Sequence, residues 1–111
     1  MRCRAEVGDR GIQLVTALDR YGAFVDRAAS PTVGEGPLAA VRLAVKDNIA
    51  VAGLKWTCGL PLLEGRVADA DALCVARLRA AGATIVGTTV TDSAGFGMMT
   101  PGVINPIAHD R

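Results

Sequence analysis

"RLAVKDNIAVAG", residues 42–53, runs an alternating apolar strand into a charged end. Residues 41–45 have strand character, with Val41, Leu43 and Val45 on one face and Arg42, Ala44 and Lys46 on the other. A cation carried into a sheet interior is expensive unless it is paired or neutral. Lys46 is therefore either a surface residue that ends a strand or an amine placed for chemistry. After Asp47, "NIAVAG" predicts a second short extended piece with a turn at Gly53.

Downstream, "LKWTCGLPLLEGRVADAD" (54–71) reads as irregular, broken by Gly59, Pro61 and Gly65. "ADALCVARLRAA" (70–81) predicts a helix, with Asp69 or Asp71 in its first turn, Arg77 and Arg79 toward its end and Gly82 as terminator. "ATIVGTT" (83–89) follows as a short buried strand. Strand, helix-bearing connection and strand together predict a crossover between parallel neighbours. Upstream, "IQLVTAL" (12–18) has helical spacing that continues to Tyr21 and Val25, with Asp9 as a possible cap. Gly22 favours breaking that helix, and "AFV" can instead begin a strand. "SPTVGEGP" (30–37) is turn chemistry throughout. From Asp92 the chain becomes rich in Gly and Pro. The expected class is α/β: a few strands of a mixed sheet with flanking helices, too thin in core to be more than part of a domain.

The 111 residues are half hydrophobic and only 4% aromatic, so Ala, Val, Leu and Ile must build the core. Twelve basic against eleven acidic residues leave a net charge of +1, which gives no electrostatic reason to expect nucleic acid or a membrane surface as partner. No apolar run approaches the roughly 18 residues that span a bilayer, and the start does not read as a signal peptide. Cys3, Cys58 and Cys74 are widely spaced and His109 is the one histidine, so no metal site and no cofactor are expected. The thiols fit a reducing, cytoplasmic setting. Cys58 and Cys74 read as small packed residues, Ser93 as a turn or cap residue and His109 as an exposed loop residue.

"GPLAAVRLAVKDNIAVAG" (36–53) resembles the stretch around the catalytic lysine of amidase signature enzymes, usually worded Gly-Pro-Leu-x-Gly-Val-Pro-x-x-Val-Lys-Asp-Asn-x-x-x-x-Gly. The likeness continues through "LLEGRVADADALCVARLRAAGATIVGTT" into "FGMMTPGVINPIAHDR". It covers residues 36–111, with 1–35 as a helical lead-in, and implies the N-terminal part of an amidase domain. Ala40, Arg42, Thr88, Val90 and Ser93 depart from the family's usual residues. No Gly- and Ser-rich segment follows within the chain, so both serines of the family's Ser–cis-Ser–Lys triad are absent from it.

The resemblance assigns Lys46 as the base that takes the serine proton during amide hydrolysis, with Met98 and Met99 bordering the substrate cavity. A lysine accepts a proton only when uncharged, and burial favours the uncharged amine, so a Lys46 sheltered from water is expected. The implied partners are a small amide substrate and a complementing chain that brings the serines. The chain by itself is expected to be an inactive piece of an amidase. The alternatives are a non-enzymatic remnant, one chain of a split amidase, or a piece of the A subunit of a tRNA-dependent amidotransferase.

Overall fold

The strand at residues 42–46 decides the architecture, because its burial alternates as its sequence does. A computed structural model describes residues 19–100 and 102–108. The chain forms two compact units, Phe24–Pro101 and the flanking stretches 1–23 with 102–111. Of the flanking unit, only 19–23 and 102–108 are described, joined by the Ile104 N–H donating to the Tyr21 carbonyl at 2.9 Å.

The larger unit carries strands β1 (Phe24–Arg27), β2 (Arg42–Lys46) and β3 (Thr84–Thr89), with helix α1 (Leu73–Ala80) between β2 and β3. The sheet order is β1-β3-β2. β2 runs parallel to β3 and β1 antiparallel to it, so the sheet is mixed. The expected strand–helix–strand unit thus closes on adjacent parallel strands. Opposite Leu43 and Ala44 sit Ile85 and Gly87, which leaves Val86 as an extra residue in β3. Its carbonyl is still satisfied, accepting the Ala28 N–H at 3.1 Å.

One face of the sheet is the core. Leu43 and Val45 point inward from β2 to meet Ile85, and Val75 of α1 covers them together with Val51 and Leu54. All these side chains are aliphatic, as the low aromatic content requires. The opposite face, carrying Arg42, Ala44 and Lys46, is exposed. Parallel strand pairs are ordinarily covered on both faces. Among the described residues only the face of Leu43 and Val45 is covered.

Four sequence expectations change in detail. The helical run does not reach Val25: the Gly22 N–H bonds the Asp19 carbonyl at 3.0 Å, and Gly22 takes a φ of +66°. The Asp19 carboxylate also accepts the Ala23 N–H, so the chain turns and enters β1. The run's earlier part, 12–18 with Asp9, lies outside the described residues. "NIAVAG" is a turn-rich connection, because the Ile49 N–H bonds the Lys46 carbonyl and the Leu54 N–H bonds the Val51 carbonyl. The helix begins at Leu73, since Ala72 remains extended with its N–H on the Ala50 carbonyl. Asp71 caps nothing. Its carboxylate accepts the Ala52 N–H and the Arg79 Nε–H, each at 2.8 Å, clamping the 50–52 turn to the end of α1.

Fourth, the "irregular" 54–71 segment contains a short antiparallel ladder. Lys55 bridges Val67, the Trp56 N–H bonds the Arg66 carbonyl, and the Arg66 guanidinium stacks 3.5 Å from the Trp56 ring. A single 3-10 turn at Pro61–Leu63 lies within the loop. The helix ends as expected, with Gly82 at φ +99° just past it. Among the described residues no helix is long and apolar enough to cross a membrane.

With so small a core, each central side chain carries a large share of it. Ile85, 1% exposed, is such a residue. Ile85→Ala is expected to lower the stability of this unit by about 2–5 kcal/mol, read as a shifted urea midpoint with unchanged slope.

Candidate functional site

The carboxyl ends of β2 and β3 gather three loops. In open sheets with parallel strands, ligands bind beyond these ends. Lys46 is the last residue of β2, and Asp47 follows it into the first loop. Their environments are opposite. Lys46 is exposed, whereas Asp47 is 0% exposed. Period-two alternation produces this split: Asp47 continues the inward face of Leu43 and Val45, and Lys46 takes the outward face.

A buried carboxylate must find donors. Asp47 finds both at one residue, Thr57, whose N–H donates to Oδ1 at 2.8 Å and whose hydroxyl donates to Oδ2. The backbone of Asp47 is held as well. Its N–H donates to the Thr89 carbonyl at 3.0 Å and its carbonyl accepts the Cys58 N–H at 3.2 Å. No ion pair to Asp47 forms among the described residues. Hydrogen bonds alone fix it.

Thr57 belongs to the second loop, delivered here by the Lys55–Val67 ladder. Beyond it the backbone enters the left-handed region, at φ +55° for Cys58 and +67° for Gly59. A non-glycine residue there is uncommon, and such residues cluster at sites that the surrounding structure over-determines. The turn aims the Cys58 carbonyl at the Ala94 N–H, 2.8 Å away in the third loop. It also brings Gly59 so close to that loop that an added Cβ would lie 2.5 Å from the Thr91 carbonyl oxygen and 2.8 Å from that of Asp92.

The third loop, 91–97, follows β3 and has its own left-handed residues, Ala94 and Gly95. Gly95 lies against the Asn48 amide, which a Cβ would meet at 2.7 Å. Loops 46–49, 57–59 and 91–97 are therefore mutually packed. The Thr88 and Thr91 hydroxyls are buried near these strand ends without a hydrogen-bond partner.

The sequence candidates fall unevenly around this site. Lys46 stands at its edge and is exposed, so the expected shelter is not found among the described residues. Met98 and Met99 are 100% and 86% exposed, continuing an apolar run from Phe96. Ser93 is exposed and opens the 3-10 turn Ser93–Gly95. Cys58 is half-buried within the second loop, while Cys74, expected in the core, is exposed on the outer side of α1. Cys74 edges an open groove of about 560 Å³ that also includes Trp56 and Asp71. Cys3 and His109 lie outside the described residues. Among those residues no three His, Cys, Asp or Glu side chains come together as a metal site. Of the two residues that bind the site together, Thr57 is not singled out by the sequence, and Asp47 enters it only as the carboxylate that follows Lys46 in the quoted motif. The one available signal is a carboxylate on the inward phase of an apolar strand.

Comparison with known proteins gives this geometry a context. The sequence model of the family described as Amidase matches residues 16–110. The A subunit of glutamyl-tRNA(Gln) amidotransferase from Methanospirillum hungatei is 40% identical over 98 residues, covering 84% of this chain and 23% of that protein. The protein of the same name from Haloarcula marismortui is 40% identical over 99 residues, covering 85% of this chain and 23% of its own. Among solved structures, the A subunit of the Thermotoga maritima glutamyl-tRNA(Gln) amidotransferase superposes with a TM-score of 0.69 at 25% identity, over 93% of this chain and 24% of that one. The chain thus spans about a quarter of the length of the relatives it matches.

The close approach of Gly59 yields a contrast test. Gly59→Ala is expected to lower the melting temperature and to move the amide resonances of Thr91 and Asp92. Gly65→Ala is expected to do neither, since an added Cβ there meets nothing within 4 Å.

Proposed function

The chain belongs to the amidase family, and from that premise we propose that it supplies the lysine-bearing segment of a hydrolase acting on amide carbon–nitrogen bonds. The observation that carries the reading is the Lys46–Asp47 pair at the end of β2, one side chain projecting out and the next locked in. An amide carbonyl is a poor electrophile, so hydrolysis needs an activated hydroxyl. The chain has two serines, Ser30 and Ser93, both exposed and neither in a Gly- and Ser-rich run. The nucleophile and its relay serine therefore come from amidase-family polypeptide beyond the quarter represented here.

In the completed site the serine oxygen attacks the carbonyl carbon while its proton passes through the relay to the Lys46 amine. The same proton returns to the departing nitrogen as the tetrahedral intermediate breaks its C–N bond. Water then repeats the sequence on the acyl-serine and frees the acid. For Lys46 to act so, it must be uncharged, which requires a covering layer on the face that also carries Arg42 and Ala44. That layer would meet the exposed Phe96, Met98 and Met99, where the amide substrate would lie. On this reading the 111 residues alone do not turn over amides. The reaction uses no metal or organic cofactor.

A second reading is favoured by the relatives' names: the segment serves a tRNA-dependent amidotransferase, in which the released ammonia is passed on. Its net charge of +1 gives the segment no strong overall attraction for RNA, so on this reading RNA contacts would be made by other parts of such an assembly.

The test is complementation. The chain is mixed with separately produced remaining polypeptide of the Methanospirillum hungatei relative, and ammonia release is followed from acetamide, benzamide and glutamine. No release is expected from the chain alone. Release from the mixture is expected, falling roughly a thousandfold or more with Lys46→Ala. Hydrolysis by the chain alone, or a Lys46→Ala mixture as active as the parent, would contradict the proposal.

A further inference from the structure

We infer that Asp47 is the positioning residue of this site: by holding Thr57, its buried carboxylate sets the direction in which Lys46 leaves β2 and fixes the second loop against the third. The inference rests on the proposed hydrolase reading for its role in catalysis, but the mechanical coupling stands on geometry alone.

Four hydrogen bonds converge on residue 47, two at its carboxylate and two at its backbone. Rotating Lys46 toward the core would require turning Asp47 out, since consecutive side chains on a strand leave by opposite faces. Three of the four bonds come from the Thr57–Cys58 dipeptide, so strand end and second loop move as one body. The coupling then goes further. Thr57 anchors the left-handed Cys58, and the Cys58 carbonyl receives the Ala94 N–H. A continuous path of Lys46, Asp47, Thr57, Cys58 and Ala94 links the amine to the loop from which the exposed Phe96–Met99 run departs.

The pairing of the carboxylate with a single residue also accounts for the absence of a cation partner among the described residues. Two donors at one residue satisfy both oxygens, and the threonine hydroxyl adds what a backbone amide alone cannot.

The test uses the full 111-residue chain and amide hydrogen exchange. Thr57→Val preserves shape and removes the hydroxyl; Thr57→Ser restores it; Asp47→Asn preserves shape and one acceptor oxygen. In Thr57→Val, exchange at Cys58 and Ala94 is expected to accelerate roughly tenfold while Val75 and Ile85 are unchanged, and Thr57→Ser is expected to stay within about twofold of the parent. Should Thr57→Val fail to fold, Asp47→Asn carries the same expectation at Ala94. Unaltered exchange at Ala94 in a folded variant overturns the inference.

A second readout uses the complemented assembly, where Thr57→Val is expected to lower kcat roughly tenfold with KM little changed and Thr57→Ser to recover it. An unchanged kcat in an active assembly overturns the positioning role. An assembly that is inactive even with the parent chain overturns the hydrolase reading, and exchange at Ala94 still decides the coupling.

Discussion

The structure depends on a carboxylate being indoors. Asp47 continues the inward phase of β2 one residue past its end, and once it is bonded to Thr57 the phase of the whole strand is set. Leu43 and Val45 must then face Val75 and Ile85, and Arg42, Ala44 and Lys46 must face away. A one-residue slip would expose the core set and drive two cations into it. The same bonds tie a loop ten residues downstream to the strand end, so core register and site geometry share one fastening.

This arrangement explains how the chain can be well packed on one side and unfinished on the other. The inner face is closed by α1 and by the 50–57 segment. The outer face, the open edge of β2 and the Phe96–Met99 run are exposed together, and all lie within the Phe24–Pro101 unit. An amidase-family relationship, with about a quarter of the relatives' length present, gives that exposure a reason. On the proposed reading, the exposed Lys46 belongs to a face that further polypeptide would cover.

Much of the fold is legible in the sequence because local signals agree. Alternation marks β2, Gly82 marks the end of α1, and strand–helix–strand order gives the parallel pair. The family likeness runs over the same residues. What is not legible depends on distant partners. Asp71 has the composition of a helix cap, yet it reaches the Ala52 amide and Arg79, so α1 starts later than its helix-forming residues suggest. The Lys55–Val67 ladder joins short stretches without a hairpin signal between them. Cys74 is apolar enough for a core but falls on the outer side of its helix. The Asp47–Thr57 contact crosses an irregular loop, and only burial makes it obligatory. The resemblance around Lys46 implies a sheltered amine, whereas strand phase places it outward and exposed.

The central claim is that Lys46 projects from a face which other amidase-family polypeptide covers. Its most direct measurement is the rate at which Lys46 is acylated by an amine-selective reagent, resolved by peptide mass spectrometry, with Lys55 as internal standard. In the chain alone Lys46 and Lys55, both exposed, should label at comparable rates. After addition of the remaining polypeptide of the Methanospirillum hungatei relative, Lys46 labelling should fall sharply while Lys55 holds. Equal labelling of Lys46 before and after a demonstrated complex forms would contradict the account.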